Sequence, residues 1–70
     1  MDDFLRFFDD KKDDGPWKLD IYYSLILDWK ISIEYKGNEI VRVQDCDMEF
    51  AFAKAHVLVK EWLIEHEGGF

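Results

Sequence analysis

The sequence predicts an α+β domain of order αβββα: a short N-terminal helix, a three-stranded antiparallel meander, and a long C-terminal helix packed on one sheet face. Two periodicities carry this expectation. Every odd position from Trp17 to Tyr35 is apolar or aromatic, the period of two that marks strand with one buried face. Met48, Ala51, Phe52, Ala55, Leu58, Val59, Trp62 and Leu63 instead fall in one arc at about 100° per residue, the period of an amphipathic helix. With 70 residues the chain forms a single domain, 1–70, near the size at which a core without staples becomes marginal. Its composition suits that limit, being 49% hydrophobic and 17% aromatic.

The first element is a helix over residues 2–9, where Phe4, Leu5, Phe7 and Phe8 have helical spacing behind Asp2 and Asp3, acids that favour a helix N-terminus. The charged run from Asp9 to Asp14, closed by Gly15-Pro16, reads as a solvated connection.

The alternating run that follows is 19 residues long, too long for one strand, so it must turn. Odd residues stay on one face only if the loop has an odd number of residues. A loop at Ile26-Leu27-Asp28 pairs Leu25 with Trp29, Tyr23 with Ile31, Ile21 with Ile33 and Leu19 with Tyr35. A second three-residue loop, Lys36-Gly37-Asn38 with Asn38 left-handed, sets Ile33 against Val41 and Ile31 against Val43. The strands are then 17–25, 29–35 and 39–44, with Lys18, Asp20, Ser24, Lys30, Ser32, Glu34 and Arg42 on the exposed face. The last helix starts after Asp45-Cys46-Asp47, either aspartate being a suitable cap, and runs to about His66 before Gly68-Gly69.

The back of that helix is not polar. Phe50, Val57 and Ile64 recur every seven residues opposite the core arc, with Ala53 beside them. A helix covering a one-sided sheet needs no such seam, so another surface should meet it: the first helix through Phe4, Phe7 and Phe8, a second copy of the chain, or a foreign partner.

Sixteen acidic residues against nine basic ones give a net charge of −7, which disfavours direct contact with nucleic acid or anionic lipid. Six of the acids form the pairs Asp2-Asp3, Asp9-Asp10 and Asp13-Asp14, a candidate partner-binding surface that imitates a row of phosphates. The longest uncharged stretch, 21–27, is too short for a membrane span, and a lone Cys46 fits a reducing cytoplasm.

Chemistry finds little to work with, so the expectation is a protein that is not an enzyme and has no cofactor. Ser24 and Ser32 sit on the exposed strand face without a signature, and Cys46 stands between two aspartates that oppose its ionisation. His56 and His66, ten residues apart without a second cysteine, make no zinc spacing, and His56 reads as a solvated side chain. Lysines in the 9–15 run occupy positions where a calcium loop needs oxygen ligands.

The order helix, meander, helix resembles the outline of double-stranded RNA-binding domains over nearly the whole chain. Where those domains carry a basic cluster, at the start of the last helix, this chain has Asp45-Cys46-Asp47-Met48-Glu49, and the activity does not transfer. In size, charge and coarse topology the chain instead resembles small acidic phage inhibitors of the anti-CRISPR or DNA-mimic type. That resemblance implies a cytoplasmic inhibitor that blocks a nucleic-acid-binding site on a host protein. The alternative is a homodimeric assembly module joined through Phe50, Val57 and Ile64.

Overall fold

The computed structural model describes residues 2–26 and 28–69, the side chain of Asp2 excepted. It is an αβββα domain: α1 (Asp2–Lys11), a 3-10 turn (Lys12–Asp14), β1 (Trp17–Ser24), β2 (Asp28–Tyr35), β3 (Asn38–Asp45) and α2 (Met48–Glu67). The three strands form one antiparallel sheet with β2 in the centre.

The charged run is not a loose connection. Lys12 lies 3.2 Å from Asp9 and Lys11 lies 3.9 Å from Asp14, both at the i,i+3 spacing that a helical turn brings together. These pairs carry α1 past the predicted end at residue 9 and into the 3-10 turn.

The first hairpin keeps the predicted parity but slips by two residues. Tyr23 pairs with Trp29, Ile21 with Ile31, Leu19 with Ile33 and Trp17 with Tyr35. Each register gives four apolar or aromatic pairs, so local turn chemistry decides between them: the Ser24 hydroxyl accepts the Ile26 N–H at 3.0 Å, and Asp28 takes a left-handed φ of 59° that a short polar side chain tolerates. Leu25, expected opposite Trp29, therefore lies at the tip and is 90% exposed, next to the loop residue Ile26 at 88%. Leu27, the middle of the predicted loop, lies outside the described residues.

The second hairpin also differs in its turn and agrees in its core. Lys36 and Gly37 both have positive φ, 54° and 80°, which is the two-residue turn that matches strand twist, and Asn38 already pairs with Tyr35. Parity is recovered by a bulge at Ile40, after which Ile33 meets Val41 and Ile31 meets Val43 as expected.

Helix α2 begins where Asp47 caps it, its carboxylate accepting the Phe50 N–H at 3.0 Å. It ends at Gly68, left-handed at φ 77°, with the Gly69 N–H donating to the Leu63 carbonyl. Ala51 and Ala55 are fully buried, and their small side chains let the helix approach the sheet closely beside Phe52, Val59 and Leu63. The helix lies over β3 and the central strand β2, displaced away from β1. Leu58, on the edge of the predicted arc, is 40% exposed as a result. On the other sheet face Ser32 is buried, not exposed as expected, because the Glu39 carboxylate accepts its hydroxyl at 3.0 Å.

Candidate protein-binding surfaces

The seam on α2 stays open to solvent. Phe50, Val57 and Ile64 are 63%, 55% and 57% exposed. Seven residues of helix rise about 10 Å, so the three side chains make a ridge about 20 Å long. The first helix does not cover it. Phe4 is buried against Phe52 and His56, Phe7 packs on His56 with the Lys60 ammonium over its ring, and Phe8 meets Trp17 edge to face. All three rings of α1 are used on the flank of α2 and the start of β1, which rules out the first helix as the occupant of the ridge. Glu49, Glu61 and Glu65 border the ridge, and Lys54 pairs with Asp45 at 3.2 Å. A hollow of about 270 Å³ at its N-terminal end is lined by Asp47, Glu49, Phe50 and Ala53.

The six N-terminal acids fall into two groups separated by the length of α1. Asp3 stands at the start of the helix beside Asp2, whose side chain lies outside the described residues. Asp9, Asp10, Asp13 and Asp14 gather at its end, all exposed. Lysines enter this second group, because Lys12 bridges Asp9 and Asp13 while Lys11 reaches Asp14. The proximity of Asp9 and Asp13 raises the Lys12 pKa.

A further polar surface is the open face of the sheet. There the Arg42 guanidinium grips Glu39 with Nε 2.7 Å from Oε1, and with the Ser32 hydroxyl it holds the Glu39 carboxyl below its usual pKa. Asp45 is likewise held low by the Asp47 backbone N–H and then by Lys54.

Residues with catalytic potential are dispersed. Cys46 is exposed, Ser24 is occupied in its turn and Ser32 in its bond to Glu39. Among the described residues no three His, Cys, Asp or Glu side chains gather to hold a metal ion, and no helix is long and apolar enough to cross a membrane.

His56 departs from the solvated reading. Its ring lies 6.0 Å from Phe4 and 5.1 Å from Phe7, between the two helices, and its Nε2 is buried without a hydrogen-bond partner. Burial, reinforced by nearby Lys60, lowers its pKa from 6.5. On acidification the unfolded chain therefore takes up this proton first. Stability is full above about pH 6.5 and falls as the pH drops towards the folded pKa. Urea denaturation between about pH 7.5 and pH 5 should show this decline, above the range in which carboxylates titrate. His56→Phe should flatten it, and an unchanged slope in that variant would remove His56 as its source.

Two further residues that the sequence reading misplaced lie on β1. Ile21 and Tyr23 were expected in the core, yet they are 41% and 52% exposed because α2 sits towards β3. The available signal was Tyr22 and Ile26, apolar residues on the otherwise polar even face.

No protein family, curated protein or solved structure matches this chain.

Proposed function

We propose that this chain is a non-enzymatic protein-binding module whose contact surface is the outer ridge of α2, and that its acidic exterior directs it to a partner with a basic rim. The open line of Phe50, Val57 and Ile64 carries this reading, since a small domain that spends three phenylalanines of α1 elsewhere leaves three large apolar side chains in water. A helix presenting knobs at seven-residue spacing fits an apolar groove. Glutamates along the ridge and the exposed aspartates at the end of α1 attract a groove bordered by lysine and arginine. A nucleic-acid-binding site has that chemistry. The module then acts as a cytoplasmic inhibitor that occludes the site, in keeping with the resemblance to small acidic phage inhibitors of the anti-CRISPR or DNA-mimic type.

Affinity capture from a bacterial lysate should recover a nucleic-acid-processing protein, with binding that weakens as salt rises from low to moderate ionic strength. Val57→Glu should weaken binding at least about tenfold, because truncated or charged hot-spot positions lose on that scale. Binding indifferent both to salt and to Val57→Glu would sink the proposal.

A homodimeric assembly module is the second reading of the same ridge. Lys54 and Glu61 lie on one flank, nearly symmetric about Val57, so an antiparallel second copy sets each lysine against a glutamate. Sedimentation giving the same monomer for wild type and Val57→Glu rejects it.

A further inference from the structure

We infer that β1 is a self-pairing edge: two copies of the chain join their β1 strands antiparallel about a two-fold axis at Ile21, making one six-stranded sheet. This inference is independent of the reading of the α2 ridge.

The two sheet edges are treated unequally by the fold. The outer strand β3 is bulged at Ile40, which hinders strand addition. β1 pairs with β2 along all eight of its residues without a bulge. Ile21, Tyr22 and Tyr23 expose apolar surface on both of its sides, continuing into Leu25 at the hairpin tip. An exposed, regular, apolar edge is a template for another strand.

Hydrogen-bond phase determines which groups are free to pair. The Pro16 carbonyl accepts the Lys36 N–H at 3.2 Å, so in the alternation of an antiparallel ladder the even residues of β1 turn their backbone groups towards β2. The N–H and C=O groups of Leu19, Ile21 and Tyr23 therefore point away from the sheet. Trp17 contributes only its carbonyl, because its N–H already donates to Gly15.

Side-chain charge then selects the register. Pairing odd residues with odd ones keeps both copies' core faces on the same side of the joint sheet. A two-fold at Asp20 places two carboxylates directly opposite one another, and one at Lys18 does the same to two ammonium groups, both of which are destabilising. A two-fold at Leu19 sets Lys18 against Asp20 but leaves Tyr23 and the tip unpaired. A two-fold at Ile21 uses the whole strand: Leu19 faces Tyr23 of the second copy, Ile21 faces itself, and no like charges are opposed. Leu19, Ile21 and Tyr23 of each copy exchange six backbone hydrogen bonds in this arrangement.

Sedimentation and light scattering at increasing concentration should show the mass rise from 8.4 kDa towards twice that value. Added salt should tighten the dimer, since each copy carries −7, the opposite trend to binding of a basic partner. Amide exchange should slow with concentration at Leu19, Ile21 and Tyr23 and stay constant at Asp20 and Tyr22. Ile21→Pro removes the N–H at the axis, and Ile21→Lys keeps it while opposing two ammonium groups. Both should return the monomer, whereas Val57→Glu should leave the dimer intact. The exposed lysine variant retains the fold if proline disturbs the strand. Wild type that stays at 8.4 kDa at every concentration and salt overturns the inference. So does a dimer that persists in both Ile21 variants, or one lost only in Val57→Glu.

Discussion

Phe4→Ala should destabilise the protein by about 3–5 kcal/mol, the range for truncating a buried phenylalanine. Phe4 is 1% exposed, and its ring rests 5.5 Å from Phe52 and 6.0 Å from His56. It is the fully buried side chain by which α1 holds to α2, the neighbours Phe7 and Phe8 being only partly covered. Truncation leaves a cavity and removes the rings' dispersion contacts at the same point. A chain of this length has a total stability on the order of 4–10 kcal/mol, so the loss is a large fraction of the whole. Urea denaturation followed by far-ultraviolet circular dichroism measures it. With α1 loosened, His56 regains water, so the decline in stability below about pH 6.5 should weaken in the same variant. A loss under about 1 kcal/mol would mean that α1 lies outside the cooperative unit, and the helix contact described above would then carry little of the fold's stability.

The element order was legible because each element repeats its period several times. Ten consecutive odd positions from Trp17 to Tyr35 fix strand and face, and the arc from Met48 to Leu63 fixes the helix that covers them. Parity was legible for the same reason: Ile33 against Val41 and Ile31 against Val43 follow from the alternation alone. Hairpin register was not, because it is decided by one or two polar residues. Ser24 and Asp28 centre the first turn one residue earlier than the expected loop, which shifts the pairing by two between registers that match apolar residues equally well, and the Lys36-Gly37 turn is reconciled with the core only by the bulge at Ile40.

The surfaces were half legible. That Phe50, Val57 and Ile64 form a ridge follows from their spacing, whereas which neighbour spares them depends on where α1 docks. Docking on the flank beside Phe52 and His56 half-buries a histidine that looked solvated, covering its Nε2, and leaves the ridge bare. The offset of α2 towards β3 is a tertiary choice invisible to periodicity, and it turns Ile21 and Tyr23 from core residues into an open edge. The acidic pairs are separated by geometry that composition does not report, since α1 holds Asp3 at one end and the four aspartates of residues 9–14 at the other.

Trp62→Ala should cost about 3 kcal/mol, towards the lower end for tryptophan because the side chain is only partly buried. The indole is the hub of an aromatic cluster that joins elements far apart in sequence. Its ring lies 6.0 Å from Trp17 of β1, 5.4 Å from Tyr35 of β2, and stacks at 4.6 Å on His66 in the last turn of its own helix. Trp17 in turn meets Tyr35 at 4.6 Å and Phe8 of α1 at 6.3 Å, so one truncation loosens contacts among α1, β1, β2 and α2 together. Edge-to-face pairs add about 0.5–1.5 kcal/mol each beyond burial, which makes the cluster, rather than area alone, the source of the loss. Trp17 and Trp29 remain as fluorescent reporters, and Trp17 should shift to longer wavelength in the folded variant as water reaches its face. Trp62→Phe should restore more than half of the stability, because it keeps an aromatic edge towards Trp17 and Tyr35. A leucine variant as stable as phenylalanine would show that bulk, not ring geometry, holds this end of the domain together.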